Sequence, residues 1–272
     1  MRYSLPKGMR YSTLGERYLY YKNEFDFNRV LKWFSKTRIR KNHTIYATVI
    51  GRHTKIYKKR FERVIKEPIL IDEYSDESEV LDMILEFLPE GVYYDRNIYT
   101  DISKCSRCKI DYRNCWRCKN FYGQELAFDL DPENIECPIH GGLEEKMKHH
   151  QGLSFCEIEF GIIKNQVVSL YEKLENQYEN LKIVYSGRGI HIHVDDGKTI
   201  KMTRKQRKNL ATELVNNGFA IDEWVTTGSM RLIRLPFSLH GMVSRIVLPL
   251  TKKELIKFNP VKDKTCWPKF LI

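Results

Sequence analysis

Apolar residues recur along this chain in short runs and at helical spacing, which is typical of a fold that mixes helices and strands. Short apolar runs predict strands at residues 45–50, 68–71, 92–94, 125–130, 183–185, 190–194 and 232–235. Apolar positions three or four residues apart, with capping residues, predict helices over residues 26–34, 75–88, 163–178 and 203–218. The order of these elements favours hairpins over a regular βαβ series. The sequence therefore predicts an α+β fold.

The ends of two of these helices carry capping signals. Ser75 is the predicted N-cap of the helix over 75–88, because acidic residues follow it in the first turn. Thr203 and Gln206 form a capping box at the start of the last helix, and Gly218 ends that helix.

The charge balance of the chain points to an anionic partner. The 272 residues include 46 Lys and Arg against 35 Asp and Glu, a formal net charge of +11. This excess favours nucleic acid or nucleoside triphosphate as a partner, although a solvated basic surface explains it equally well. No apolar run approaches the ~20 residues of a membrane span, and the N-terminus lacks the apolar segment of a secretory signal. We therefore expect a cytoplasmic protein with no membrane partner.

Two carboxylates, Asp129 and Asp131, lie at the end of the predicted strand over 125–130. Because side chains alternate along a strand, both acids point to one face, and Phe128 and Leu130 point to the other. Two aspartates so placed can hold two divalent ions, which activate a 3′-hydroxyl and stabilise a leaving pyrophosphate. The alternative is an exposed strand end with two solvated acids, although like charges this close repel unless a cation lies between them.

The turn between the strands at 183–185 and 190–194 reads Ser-Gly-Arg-Gly. Its glycines allow the backbone to approach a phosphate closely, while Arg188 supplies positive charge and Ser186 a hydroxyl donor. His191 and His193 share one face of the outgoing strand, where an imidazole can donate to a triphosphate or to a metal-bound oxygen. A simple hairpin with two half-buried histidines is the alternative.

A second phosphate-binding pattern occurs at residues 231–241, which read RLIRLPFSLHG. Arg231 and Arg234 bracket two apolar residues, and His240 follows. Arginine forks bind phosphate bidentately, and the histidine adds a further donor. The alternative is a basic edge strand whose arginines point to water.

The cysteines indicate metal binding, since a cytoplasmic chain rarely keeps disulfides. Two CxxC pairs separated by six residues suit a compact tetrahedral zinc site, and an iron–sulfur cluster would use the same ligands. The four residues are Cys105, Cys108, Cys115 and Cys118. A second zinc site could be formed from Cys137, His140, His149, His150 and Cys156. Cys266 lies alone and is predicted to be an ordinary thiol.

Basic residues interleave with aromatic residues at positions 38–41 and 55–63. Positive charge for phosphates and rings for stacking suit a single-stranded template. A second basic cluster opens the last predicted helix and comprises Lys201, Arg204, Lys205, Arg207 and Lys208. Cations at a helix start oppose the helix dipole, which indicates a use beyond stability, although solvated surface is the alternative for both clusters.

Three segments, in this order, resemble the archaeo-eukaryotic primase superfamily. They are ELAFDLD at 125–131, YSGRGIHIHV at 185–194 and RLIRLPFSLHG at 231–241. The stretch 68–94 is also similar to the strand–helix–strand that precedes the acidic pair in that family, so the resemblance covers roughly residues 65–245. It implies an RRM-like catalytic sheet with flanking helices, template-directed nucleotide polymerisation, and two Mg²⁺ or Mn²⁺ ions.

The resemblance also implies roles for individual residues. The ligands of the catalytic ions would be Asp129 and Asp131. The side chains around the incoming nucleotide would be Ser186, Arg188 and His191, with Arg234 and His240 beside its phosphates.

The chain departs from the family pattern at three points. Similar primases carry a third metal-binding aspartate just before the RLIR segment, where this chain has Gly228, so Asp222 or Glu223 would have to substitute. Arg245 stands near the position where a lysine often follows the SLHG turn. The clear cysteine cluster precedes the acidic pair, whereas the metal knuckle of the family usually follows it.

We therefore expect residues 1–272 to form a single primase–polymerase catalytic domain with a zinc-knuckle insertion at about 103–120. The expected activity is template-dependent nucleotidyl transfer, as a DNA primase or polymerase, on single-stranded or primed DNA with nucleoside triphosphates. A non-catalytic nucleic-acid-binding subunit that kept the primase fold is the alternative, which Gly228 favours. A third interpretation is a catalytic subunit that needs a partner, such as a large primase subunit or another replication, repair or CRISPR protein.

Overall fold

The computed structural model describes residues 3–35, 44–101 and 112–272. The predicted basic stretch at 38–41 and two of the predicted zinc ligands, Cys105 and Cys108, lie outside these ranges. The helices are α1 Leu14–Asn23, α2 Phe27–Ser35, α3 Glu77–Phe87, α4 Leu143–Lys148, α5 Glu157–Glu175, α6 Gly197–Ile200, α7 Arg204–Asn216, α8 Glu223–Thr226 and α9 Lys252–Lys257. The strands are β1 Tyr46–Val49, β2 Ile69–Ile71, β3 Gly91–Asp95, β4 Asn97–Tyr99, β5 Phe121–Gln124, β6 Leu126–Leu130, β7 Leu181–Tyr185, β8 Ile190–Val194, β9 Leu232–Arg234, β10 Leu239–His240, β11 Arg245–Ile246 and β12 Leu248–Leu250.

Two antiparallel four-stranded sheets organise the described residues. One has the strand order β2-β1-β3-β9, and the other has the order β12-β7-β8-β6. Strands β7 and β8 form the hairpin predicted around the glycine-rich turn. The predicted mixture of helices with antiparallel hairpins is confirmed.

The register of β6 against β8 decides which residues face the site. Asp129 lies opposite His191, and Ala127 lies opposite His193. On the other face, Phe128 is fully buried in a core cluster with residues of α5 and α7. Burying each large apolar side chain stabilises such a core by about 1.5–3 kcal/mol. The predicted division between an acidic face and a core face of this strand is confirmed.

The first sheet covers the acidic face of the second. Val92, Tyr94 and Ile233 of the first sheet belong to one core cluster with Ala127 and Val184 of the second. The acidic end of β6 therefore opens between the two sheets.

A buried polar group joins the two sheets next to that opening. The Tyr94 hydroxyl lies 3.1 Å from both carboxylate oxygens of Glu125, and His193 Nδ1 lies 2.7 Å from Glu125 Oε1. Arg96 is fully buried and donates to the carbonyl oxygens of Val225 (2.7 Å) and Met230. Charged groups are buried at low cost only when hydrogen-bonded in this way. These bonds hold the segment that leads into β9 against β6.

The long helix α5 has the predicted apolar stripe. Ile163, Val167, Leu170 and Leu174 are fully buried, and the helix packs on β7 and β8. None of the helices in the described ranges is long and apolar enough to cross a bilayer.

Three details of the predicted elements are wrong. Helix α3 is capped by Asp76 rather than Ser75, because the Asp76 carboxylate accepts from the amides of Ser78 and Glu79. Helix α5 ends at Glu175, so the predicted stretch to residue 178 includes a turn. Helix α1 was not predicted, although Thr13 and Glu16 form a complete capping box at its start.

Candidate active site

One cavity of about 190 Å³ is lined by both aspartates of the acidic pair, by Asp222 and by all five residues to which the family resemblance gives a place around the nucleotide. Its polar lining comprises Tyr93, Asp129, Asp131, Ser186, Arg188, His191, Asp222, Arg234 and His240. These side chains come from β3, β6 and the residue after it, the β7–β8 turn, β8, the start of α8, β9 and β10. Segments far apart in the sequence therefore meet at the acidic end of β6.

The two aspartates are half-buried, and one oxygen of each is buried without a hydrogen-bond donor. Among the described residues, the Oδ1 atoms of Asp129 and Asp131 have no hydrogen-bond partner. Burial, together with the charges of Asp131, Asp222 and Glu133, raises the pKa of Asp129 well above its usual range. Burial and the charge of Glu133 raise the pKa of Asp131 to about 7. Two half-buried carboxylates that repel each other, each with one oxygen that lacks a donor, form an arrangement that a cation would stabilise.

A third carboxylate, Asp222, lies beside this pair. The Asp222 amide donates to the Asp129 carbonyl oxygen at 2.8 Å, and the Asp222 carboxylate caps α8 by accepting from the Trp224 amide at 2.8 Å. Glu223, the other predicted substitute, is exposed and does not line the cavity. Of the two candidates, the structure brings Asp222 to the acidic pair.

Gly228 faces away from the acidic pair. A Cβ at this position would overlap Oε1 of Gln124 and would stand 3.3 Å from its Cδ. The backbone φ of +83° also favours glycine. An acid at this position therefore would meet Gln124 rather than the carboxylates of β6.

We expect Asp222→Asn to lower nucleotide addition by about 10- to 100-fold, as changes beside a metal site usually do. The melting temperature should change little, because asparagine caps a helix as well as aspartate does. Gly228→Asp serves as the comparison, and we expect it to lower stability without raising activity. Primer-extension rates and thermal melts measure both effects. A gain of activity in Gly228→Asp would contradict this placement of the third acid.

Cationic donors form the wall opposite the acids. Arg188 Nη1 donates to Glu133 Oε1 at 2.9 Å, and Arg234 Nη2 donates to the Tyr93 hydroxyl at 2.8 Å. The guanidinium of Arg234 lies over the Tyr93 ring at 4.7 Å. Within the described residues, Arg188 Nη2, Arg234 Nη1 and His240 Nδ1 are buried without hydrogen-bond partners. Buried unpaired donors of this kind suit an anionic ligand.

Arg231 does not join this wall. Its Nη1 lies 3.1 Å from Asp95 Oδ2 and donates to the Tyr99 hydroxyl at 3.2 Å. The two arginines of the RLIR segment therefore face different cavities, and the alternative in which both arginines point to water is wrong for Arg231, which is buried.

The glycines of the Ser-Gly-Arg-Gly turn are required by close packing. A Cβ at Gly189 would overlap Oδ1 of Asp131 and the Leu130 carbonyl oxygen. Gly187 has φ +108°, and a Cβ there would lie 2.5 Å from Cδ2 of His240. The Ser186 hydroxyl accepts from the Gly189 amide at 3.1 Å and so closes the turn. The turn thus brings the acidic end of β6 close to the His240 side of the cavity.

The two histidines of β8 have different surroundings. His191 Nε2 lies 3.4 Å from Asp129 Oδ1, without a hydrogen bond to that atom. Burial and the positive charge of nearby groups hold the pKa of His191 well below its usual range, so this imidazole is neutral at neutral pH. His193 instead contacts Glu125 and lies outside the cavity lining.

A separate cluster of side chains that could hold a metal ion follows the acidic pair in the sequence. Ligand atoms of Cys137, His140, Cys156 and Glu159 all lie within 4.8 Å of one another. Cys137 Sγ lies 3.3 Å from His140 Nδ1 and 3.9 Å from Cys156 Sγ. Glu159 also forms a buried ion pair with Lys146. Two sulfurs and one nitrogen, with a carboxylate nearby, could hold a metal ion.

Other predicted metal ligands are placed differently. His149 and His150 do not belong to the cluster formed by Cys137 and its neighbours. Of the first cysteine group, Cys115 accepts from Arg231 Nη1 at 3.1 Å, and Cys118 accepts from the Asn120 amide at 3.4 Å.

Two supporting residues were missed from the sequence. Tyr93 orients Arg234, and Glu133 orients Arg188. Glu133 was within reach of sequence reasoning, since it follows Asp131 by two residues in the DLDPE segment. Tyr93 could not be found this way, because its role depends on the pairing of β3 with β9.

Comparison with known proteins places this chain in a family. An uncharacterized DNA primase small subunit-like protein of Archaeoglobus fulgidus is 51% identical over 272 residues, which cover all of this chain and 95% of that protein. This chain belongs to the archaeo-eukaryotic primase superfamily. The resemblance stated from the three sequence segments is confirmed.

More distant relatives named as DNA primase small subunits match parts of the chain. The DNA primase small subunit PriS of Saccharolobus solfataricus is 29% identical over 182 residues, which cover 52% of this chain and 55% of PriS. PriS of Pyrobaculum calidifontis is 24% identical over 217 residues, which cover 64% of each chain. The polymerase domain of Mycobacterium tuberculosis Ligase D, solved in complex with DNA, has a TM-score of 0.45 and 13% identity, covering 91% of this chain and 89% of that domain. No protein-family model matches the chain.

Proposed function

We propose that this protein is a template-dependent nucleotidyl transferase, a DNA primase or polymerase that joins nucleoside triphosphates to a 3′-hydroxyl. The observation that carries the proposal is one cavity in which three carboxylates accompany buried nitrogen atoms that have no hydrogen-bond partner among the described residues. The carboxylates are Asp129, Asp131 and Asp222, and the nitrogen atoms belong to Arg188, Arg234 and His240. Membership of the primase superfamily supports this chemistry for the cavity.

The acidic side of the cavity fits divalent metal ions. The unpartnered Oδ1 atoms of Asp129 and Asp131 are hard oxygen donors, and Asp222 adds a third carboxylate nearby. These residues would hold Mg²⁺ or Mn²⁺. The ions would activate the attacking hydroxyl and stabilise the charge of the leaving pyrophosphate.

The opposite side of the cavity fits a triphosphate. Arg188 is held by Glu133, and Arg234 is held by Tyr93. Each guanidinium is therefore oriented, while its other terminal nitrogen has no hydrogen-bond partner among the described residues. Fixed donors stabilise developing charge at no cost of reorganisation. Neutral His191 keeps positive charge away from Asp129 while it packs against the carboxylate. Ser186 closes the turn that places Arg188.

The wider assignment follows the sequence expectations. Residues 1–272 would form one catalytic domain with an RRM-like sheet made by β12, β7, β8 and β6. A zinc knuckle at about 103–120 would use Cys105, Cys108, Cys115 and Cys118. The partners would be single-stranded or primed DNA, nucleoside triphosphates and, by analogy with relatives named as small subunits, a large primase subunit. The expected location is the cytoplasm.

Primer extension tests the proposal directly. Purified protein, a primed template, labelled nucleotides and Mn²⁺ should give products whose sequence follows the template. A template with one changed base should change the nucleotide added at that position. Absence of both extension and de novo primer synthesis, with and without added partner subunit, would reject the proposal.

A second candidate is a non-catalytic nucleic-acid-binding subunit, which the sequence favours because Gly228 stands where similar primases carry a metal-binding aspartate. Calorimetry separates the two candidates. Tight binding of template without binding of nucleotide or Mn²⁺ would support the second candidate, whereas metal-dependent nucleotide binding supports catalysis.

The cluster of Cys137, His140 and Cys156 is proposed to hold zinc. We expect Cys137→Ser combined with Cys156→Ser to lower the bound zinc by about one equivalent per chain, because structural zinc needs its thiolates. Cys266→Ala is the control, since this buried thiol lies outside the cluster, hydrogen-bonds to the carbonyl oxygens of Pro260 and Asp263, and should leave the zinc content unchanged. Elemental analysis of the purified proteins measures the result. Equal zinc content in all three proteins would contradict this site.

A further inference from the structure

A second cavity lies on the other side of the segment that leads into β9. Its volume is about 380 Å³, within the range of ligand-binding pockets. Thr227, Gly228, Ser229 and Arg231 line this cavity, whereas Met230 and Leu232 line the cavity of the acidic pair. We call this second cavity the α7 pocket, because residues from 200 to 207 form its opposite side. The two cavities therefore share one wall.

Two partly exposed aromatic rings stand in the α7 pocket. Trp116 is 38% exposed and Tyr122 is 46% exposed. The Arg204 guanidinium lies 4.2 Å from the centre of the Trp116 ring, and Lys201 Nζ lies 3.4 Å from the centre of the Tyr122 ring. Each ring is thus paired with a cation at the surface of the pocket. Such pairs offer a flat face for stacking next to positive charge.

The positive charge of the pocket is not balanced locally. Within the described ranges, no carboxylate forms an ion pair with Arg117, Lys201 or Arg204. Arg117 and Arg204 both lie over the Trp116 ring, at 4.8 and 4.2 Å, so two like charges are held close together. Burial and the charge of Arg117 lower the pKa of Arg204. An anion between these side chains would relieve their repulsion.

The floor of the pocket is rigid. The Arg207 side chain is buried and donates to the carbonyl oxygens of Gln124 (2.5 Å) and Thr199 (3.1 Å). Gly123 approaches Ile200 so closely that a Cβ would lie 2.5 Å from the Ile200 carbonyl oxygen. Gly228 packs on Gln124 in the same floor. The glycine that replaces the expected third acid is thus part of the wall of this pocket.

We propose that the α7 pocket binds single-stranded nucleic acid, with a base stacked on Trp116 or Tyr122 and the adjoining phosphates held by Lys201 and Arg204. Basic residues continue along the exposed face of α7 at Lys205 and Lys208, which suits a chain of phosphates rather than one mononucleotide. The proposal deepens the proposed function and rests on it in one respect, namely that the bound strand is the template. The shared wall places this strand next to the acidic cavity.

Charge-removal variants of the whole chain test the phosphate contacts. Lys201→Ala with Arg204→Ala removes two cations that line the pocket, and Lys253→Ala with Lys257→Ala removes two exposed cations of α9 that lie outside it. Fluorescence anisotropy with a labelled single-stranded DNA 20-mer measures binding against salt concentration. The first double variant should bind about tenfold or more weakly and lower the salt slope by about 1.4, at ~0.7 per phosphate contact. The second should stay within about twofold of the unchanged chain. Equal weakening in both variants, or in neither, overturns the proposal.

A ring substitution tests the stacking contact. Tyr122→Phe keeps an aromatic face and should bind the same oligonucleotide within about twofold. Tyr122→Leu keeps apolar bulk without the face and should bind about fivefold or more weakly. Equal affinities of the two variants would overturn the stacking role of Tyr122. Trp116→Phe and Trp116→Leu test the other ring in the same way, and equal affinities in both pairs of variants would overturn the proposal that a base stacks in this pocket.

Failure of this inference is distinguishable from failure of the proposed function. Strand binding is measured without nucleotide, so Asp129→Asn should bind the oligonucleotide normally. Normal primer extension with unaltered binding in the Lys201 and Arg204 variant would overturn the pocket alone. The proposed binding pattern in a protein that extends no primer would overturn the catalytic proposal alone.

Discussion

Asp129→Asn is expected to lower template-dependent nucleotide addition at least about a thousandfold while making the metal-free protein slightly more stable. The loss of activity follows because ~4 kcal/mol of lost transition-state charge stabilisation corresponds to that factor. The gain in stability follows from the surroundings of Asp129. Burial, together with the negative charges of Asp131, Asp222 and Glu133, disfavours the ionised form of Asp129. Asparagine keeps the shape of the side chain and removes the charge. About 1 kcal/mol of relieved repulsion would raise the melting temperature by about 2–4 °C.

The control for this variant is Asp82→Asn. Asp82 lies on the exposed side of α3, so its replacement removes the same charge from a solvated position. We expect this control to retain the extension rate and the melting temperature of the unchanged chain. The melting temperatures are measured in EDTA, which removes divalent metal ions. A lower melting temperature for Asp129→Asn than for the unchanged chain would contradict the repulsion between Asp129 and its neighbouring carboxylates.

Gly189→Ala is expected to damage both the fold and the activity. The added Cβ would overlap Oδ1 of Asp131 and the Leu130 carbonyl oxygen and would stand 2.9 Å from the Asp131 Cα. Two of these atoms belong to the backbone, so relief requires β6 or the turn to move. Overpacking of this kind costs about 1–3 kcal/mol, and a displacement of about 1 Å at a reacting group can lower the rate about 100-fold. We therefore expect a lower melting temperature and about 100-fold slower extension.

Gly161→Ala is the matched control for Gly189→Ala. Gly161 lies within α5, and a Cβ there would meet nothing within 4 Å. Alanine is favoured over glycine in a helix by about 0.5–1 kcal/mol, so this variant should melt slightly higher and extend primers at the normal rate. Thermal melts and single-turnover extension of both variants give the comparison. A normal extension rate of Gly189→Ala would contradict the prediction that activity requires close packing of the turn against Asp131.

The sequence predicted the parts of the site that depend on local periodicity. Asp129 and Phe128 occupy opposite faces of β6 because a strand alternates its side chains. The hairpin that brings Arg188 into the cavity follows from a glycine turn between two apolar runs. Both features are set by residues within a few positions of one another.

The points that the sequence left open or misplaced depend on contacts between distant segments. Asp222 reaches the acidic pair through a backbone hydrogen bond to Asp129, which no local pattern encodes. Arg231 turns to Asp95 because β9 pairs with β3, so one arginine of the RLIR segment leaves the site that the other enters. The cluster of Cys137 and Cys156 joins residues 19 positions apart through the fold of α4 and the start of α5.

The wall between the two cavities has a thermodynamic consequence. Residues 227–229 and 231 line the α7 pocket, and residues 230 and 232 line the acidic cavity. Arg96 holds this segment by its bonds to the carbonyl oxygens of Val225 and Met230. A ligand that binds in one cavity and favours one position of this segment also changes the affinity of the other cavity for its own ligand. Linkage requires the two effects to be equal, so a strand that tightened nucleotide binding by some factor would itself be held tighter by the nucleotide by that same factor.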